Sequence, residues 1–213
     1  MLKRIFTGLA IGVALLALLN AAVTRLGLTA MPLPTLAGTA PWTTARASGL
    51  TALVALTLDM VFGLFVATGV ADRLIRRGRS VEVHRWLSSV ALALVAAHIL
   101  VLTVDRFVRF DLLDVLVPFL SSYRRVAVGL GVLAAYGALT VHASFGLRRR
   151  LGAKAWRRLH YLSFFVFAAA VAHAALAGSD SARVSIQAIY VSAATAVGLL
   201  VLYRVGDALR GTR

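Results

Sequence analysis

The chain has 213 residues, of which 60% are hydrophobic and 15% charged, with a mean hydropathy of +0.86. A soluble domain is about half apolar and about a quarter charged, so this composition excludes an ordinary soluble protein and points to an all-α integral membrane protein. The absence of cysteine excludes disulfides, iron–sulfur clusters, thiolate metal sites and cysteine nucleophiles, and the net charge of +15 reads as topology and anionic headgroups rather than nucleic acid.

Six apolar segments of spanning length follow one another, at roughly 5–23, 49–71, 83–104, 126–147, 159–177 and 184–203. None alternates as a barrel strand would. The first begins with Lys3 and Arg4 and ends near Ala21 and Ala22, which also suits a signal peptide; its length favours an uncleaved helix. Gly8 and Gly12 on this segment fit close helix packing. The loop at 25–48 carries Pro32, Pro34, Pro41 and Trp42; it is the longest external loop and too short for a domain. No soluble segment is long enough for a nucleotide domain. No P-loop and no strand-borne G-x-G-x-x-G occurs, so a nicotinamide, flavin or ATP domain is not expected in these residues.

The loops sort by charge. The N-terminus, the segment with Arg73, Arg76, Arg77, Arg79 and Arg85, the segment with Arg148, Arg149, Arg150, Lys154, Arg157 and Arg158, and the tail with Arg204, Arg210 and Arg213 hold 16 of the 23 basic residues. The opposite set, Arg25, Arg46, Arg106, Arg109, Arg124, Arg125 and Arg183, holds 7. The positive-inside rule therefore places both termini in the cytoplasm of a multi-pass protein of the inner or plasma membrane. The third and fifth spans then run the same way.

Those two spans carry four of the five histidines: His84 and His98 on the third, His160 and His173 on the fifth. The first two are fourteen positions apart and the second two thirteen. Ionisable residues inside a bilayer are costly and by default functional. At ~1.5 Å rise per residue each pair is separated by about 20 Å along its helix. Parallel helices pair first with first, so His84 faces His160 near the cytoplasm and His98 faces His173 near the exterior. The expected reading is two stacked b-type haems, each iron carrying imidazole on both axial positions, which suits electron transfer better than oxygen binding. The longer interval is close to four full turns and keeps His84 and His98 on one face. The shorter one is not, so the fifth span either carries a π-bulge or kink, or its two haems approach from different sides. Zinc or di-iron would need ligands one turn apart with carboxylates nearby; the spans hold one carboxylate, Asp59, and no such motif.

At these residues the sequence resembles the ferric reductase-like transmembrane domain, shared by NADPH oxidases, ferric-chelate reductases and the haem subunit of bacterial methionine sulfoxide reductase systems. The two histidine intervals match that domain. The run Trp156-Arg157-Arg158-Leu159-His160 resembles its entry into the second haem helix, and Ala47-Ser48-Gly49-Leu50 its opening of the second span. The resemblance covers roughly residues 45–205, leaving 1–44 as a first helix with its external loop and 206–213 as a cytoplasmic tail. Relatives of the oxidase type append a flavin and NADPH domain not found in these residues; the methionine sulfoxide reductase subunit often lacks the first histidine of the third span, present here as His84.

Other polar residues admit several readings. His142 suits packing or the lipid interface better than support of a haem or quinone. Asp59 is either a proton-handling group or haem-edge partner, or a neutral hydrogen-bonded acid. Arg85 at the inner haem and Arg46 at the outer are candidate propionate contacts, with topology alone the competing explanation for each. Tyr136, Trp86 and the aromatics around Phe164 read as packing.

The function expected is transmembrane electron transfer, from a separate cytoplasmic flavoprotein or membrane quinol to an external acceptor. The alternative is a haem-b anchor subunit of a larger reductase or dehydrogenase complex, such as a periplasmic methionine sulfoxide reductase system. Whether the chain is itself an oxidoreductase or an electron-transfer subunit stays open at this level. A haem-free transporter or structural protein would leave four matched histidines unexplained.

Overall fold

The structure, a computed structural model, describes residues 40–105 and 108–211. The expected first span at 5–23 lies outside the described residues. Five helices among them are long and apolar enough to cross a membrane. They are α1 (Ala40–Thr68), α2 (Arg77–Val104), α4 (Arg125–Gly146), the interrupted pair α6 (Ala153–His160) and α7 (Leu162–Ala177), and α8 (Val184–Leu209). Two short helices, α3 (Leu112–Leu116) and α5 (Arg148–Leu151), lie in the connections. The protein is a multi-pass helical membrane protein.

In an apolar solvent every backbone polar group must be satisfied inside the segment, which forces helix. Side-chain hydroxyls obey the same constraint: those of Thr51, Thr57, Thr68 and Thr140 each donate to the carbonyl four residues earlier. Helix ends fall where the sequence changes chemistry. α1 ends at Gly69, whose φ of 69° takes the left-handed conformation that closes a helix, with its N–H donating to the Phe65 carbonyl. Gly152, φ 76°, separates α5 from α6.

Several boundaries differ from the sequence reading: α2 starts at Arg77 rather than 83, α6 at Ala153 rather than 159, and α8 ends at Leu209 rather than 203. α1 starts at Ala40 rather than 49, so the last part of the expected external loop is helical. Pro41 and Trp42 sit in its first turn, where proline needs no intrahelical donor. The fifth span is two helices meeting at Tyr161.

Successive spans alternate in direction, so the arginine-rich connections gather at one end. α1 packs along α2, and α4 along α7, as two antiparallel hairpins, and α8 closes against α1. Lipid tails are as apolar as leucine, so close backbone approach rather than water exclusion holds such helices together. The α1 residues buried in this packing include Ala45, Ala52 and Ala55. A second contact joins Met60 and Leu64 of α1 to Phe167 of α7 and to Ala193 and Val197 of α8. α2, which carries His84 and His98, and α7, which carries His173, lack such packing on each other. Only 11% of the apolar window of α2 is buried.

Candidate haem-ligand site

The gap between α2 and α7 is a long cavity, walled also by α1 and α4, with His98 and His173 in its lining. Across the gap the four histidines meet in two pairs. The rings of His84 and His160 have centroids 6.1 Å apart at an interplanar angle of 84°, and those of His98 and His173 lie 6.3 Å apart at 76°. The first pair sits at the arginine-rich end and the second toward the opposite end. Nothing in an isolated sequence guarantees the rotation that brings His160 and His173 to one gap. The span is interrupted between the two histidines at Tyr161, which itself keeps α-region φ and ψ.

Three of the four rings are held from behind in the same way. The Nδ1 of His98 lies 2.7 Å from the carbonyl oxygen of Ala45, that of His84 3.0 Å from the carbonyl of Asp59, and that of His173 2.8 Å from the carbonyl of Ala127. Each carbonyl stands one helical turn before a glycine, Gly49, Gly63 or Gly131, on which the ring rests. A Cβ there would come within 3.0 Å of His98, 3.1 Å of His84 and 2.6 Å of His173. A donor hydrogen bond at Nδ1 fixes the tautomer and leaves Nε2 as the ligating nitrogen. His160 differs: its Nδ1 is buried with no hydrogen-bond partner among the described residues, and its ring stacks on Trp156 at 5.0 Å and 25°.

The chemistry open to such pairs is narrow. Two imidazoles on opposite sides of one metal ion, with metal–nitrogen bonds of about 2.0 Å, have ring centres roughly 6 Å apart. Among the described residues no three His, Asp or Glu side chains cluster as a metal site. Each pair brings two imidazoles to about the separation that one shared metal ion would need.

A family model, the ferric reductase like transmembrane component, matches residues 11–171. The chain belongs to that family. No curated protein and no solved structure matches it. The family match takes in most of the expected first span and includes His84, His98 and His160; His173 follows just beyond it.

In this ferric reductase-like chain the other sequence candidates fall as follows. Arg46 lines the cavity and forms an ion pair with Asp180, which also holds Arg183 at 3.2 Å. Arg85 turns to the ring of Phe145, 5.0 Å from its centroid. Phe145's neighbour Trp156 carries Arg148 at 4.7 Å, so an aromatic and arginine cluster abuts His160. His142 pairs with Ser88 at 3.0 Å, outside both ring pairs. Asp59, buried at 8% exposure, brings Oδ1 to 2.7 Å from the Nδ1 of His84.

Sequence reasoning missed the glycines, though a signal existed. The interval from Gly49 to Gly63 equals that from His84 to His98 on the antiparallel neighbour. The interval from Gly131 to the buried Ser144 likewise equals that from His160 to His173.

Proposed function

We propose that this ferric reductase-like protein is a two-haem cytochrome b core that carries electrons across the inner or plasma membrane, from a cytoplasmic flavoprotein or membrane quinol to an external acceptor. The observation that carries this is the pair of facing imidazoles at each of two levels along the helix bundle. The donor set fits haem b, whose iron each facing histidine pair would hold through two neutral imidazoles. When bound, two such haems would supply one-electron carriers that divide a ~30 Å apolar barrier into short hops.

The chain's own part is ligation, spacing and exclusion of water. His84 with His160, and His98 with His173, would hold one haem iron at each level through their imidazoles, an arrangement suited to electron transfer. The carbonyls of Ala45, Asp59 and Ala127 hold three of the rings in the ligating tautomer. Arg46, at the far mouth of the cavity, would share itself between Asp180 and an outer propionate. Arg85 is engaged with Phe145, so the inner propionates would rely on other cations of the arginine-rich end. That end is assigned to the cytoplasm by its excess of basic residues, with segment 5–23 as a sixth span bringing both termini to the same side.

The test is a pyridine haemochrome assay on protein purified from haem-replete cells. Two b-type haems per polypeptide are expected. A folded but colourless protein overturns the proposal.

A further inference from the structure

Of the paired histidines, His84 is the one with a carboxylate behind it among the described residues. The Asp59 carboxylate oxygen lies 2.7 Å from its Nδ1, and the Asp59 carbonyl lies 3.0 Å from the same atom. His98 and His173 have neutral backbone carbonyls in that position, and His160 has no partner there. The contrast is one of charge, placed at one end of the gap. Asp59 is 8% exposed in the apolar run of α1, where water does not screen it.

The His84 N–H donates to the Asp59 carbonyl, and the Asp59 carboxylate lies against the same ring at 2.7 Å; its negative charge favours the more positive, oxidised state of a metal bound at the opposite nitrogen. Nearby cations act in the opposite sense. The arginines nearest His84 in sequence, Arg85 and Arg79, are exposed, and the field of an exposed charge is weakened by solvent and salt; the partly buried Arg204, bonded to Tyr161 next to His160, acts in the same sense. Asp59 is in direct contact with the ligand and outweighs them.

We infer that Asp59 is a positioning residue that holds the His84–His160 centre at a lower reduction potential than the His98–His173 centre, giving the two-haem relay a downhill direction away from the arginine-rich end. The inference rests on the two-haem reading above. In the step it biases, one electron leaves the iron held by His84 and His160, which is oxidised by one, and enters the iron held by His98 and His173, which is reduced by one; no proton changes place. Asp59 acts through His84 and touches neither iron.

The experiment is a spectroelectrochemical titration of the haem-loaded full chain in lipid nanodiscs, with low-spin EPR on the same samples. Wild-type protein should give two waves, and the wave that survives in His84→Ala should be the higher one. In Asp59→Asn the lower wave should move up by about tenfold or more in its reduction equilibrium, which is about 59 mV for a one-electron couple, with a changed low-spin signal for that centre alone. Asp59→Glu, which keeps the charge, should return the wave toward its wild-type position. The inference is overturned if the surviving wave in His84→Ala is the lower one, or if Asp59→Asn leaves both waves in place or moves the other. Should Asp59→Asn fail to fold, the His84→Ala assignment and the Asp59→Glu titration decide by the same criteria. Wild-type protein that folds without haem would overturn the two-haem reading itself, before any variant is made.

Discussion

Replacing Gly131 with alanine puts one methyl group into the tightest contact behind a paired histidine. Its Cβ would lie 2.6 Å from Nδ1, 2.7 Å from Cε1 and 2.9 Å from Cγ of His173. Carbon contacts are comfortable at about 3.5–4.0 Å, so the ring would have to retreat by about 1 Å. It has little freedom to do so, because Nδ1 is bonded to the Ala127 carbonyl at 2.8 Å and α4 packs closely along α7. Overpacking of this kind costs about 1–3 kcal/mol, and loss of the hydrogen bond adds about 1 kcal/mol. Removing a helical glycine returns up to about 1 kcal/mol. The expected net is a destabilisation of roughly 1–3 kcal/mol that falls on one ligand, and disturbance behind a metal ligand typically costs about 10–100-fold in affinity. Gly131→Ala should therefore lose low-spin haem from the His98–His173 centre while the other centre persists, read by the visible spectrum of protein loaded with limiting haem. Two substitutions calibrate the effect. At Gly63 the closest approach is 3.1 Å to His84 Cε1, and a few tenths of an ångström relieve it; at Gly198 nothing lies within 4 Å. Gly63→Ala should be close to neutral, and Gly198→Ala neutral or slightly stabilising. Retention of both low-spin haems at wild-type affinity in Gly131→Ala, or loss of the His84–His160 centre instead, would refute the reasoning.

The ring pairs predict the outcome of double substitution. His84→Ala with His160→Ala should remove no more low-spin haem than either alone, whereas His84→Ala with His173→Ala should remove both centres. His142→Ala should keep both, since that ring pairs with Ser88 and belongs to neither facing pair; loss of a low-spin signal in this variant would contradict the assignment. The charge asymmetry predicts that a reporter fused after Arg213 is active only in the cytoplasm, and external activity would reverse the direction of electron flow assigned here.

Much of this protein was legible in its residues, because the features concerned are local. Apolar runs of spanning length require helices wherever backbone groups cannot reach water, and α2, α4 and α8 lie where the hydropathy puts them. The intervals from His84 to His98 and from His160 to His173 are properties of single helices, and with Trp156 to His160 they sufficed to point to the ferric reductase-like family. The basic residues likewise sort by connection without any coordinates. What the sequence left open was decided by neighbouring chain. The interval from His160 to His173 does not say whether its helix is straight; the structure interrupts it at Tyr161 and brings each ring to a partner on α2. Asp59 alone reads equally as a proton carrier or a buried acid; it stands behind His84 because α1 packs antiparallel along α2. Arg46 and Arg85 were alike as free cations until Asp180 and Phe145 came beside them. A partner's identity depends on the rotation and depth of a second helix, and those are fixed by small residues meeting across the packed interface, where the absence of a single Cβ decides how closely a ring can lie.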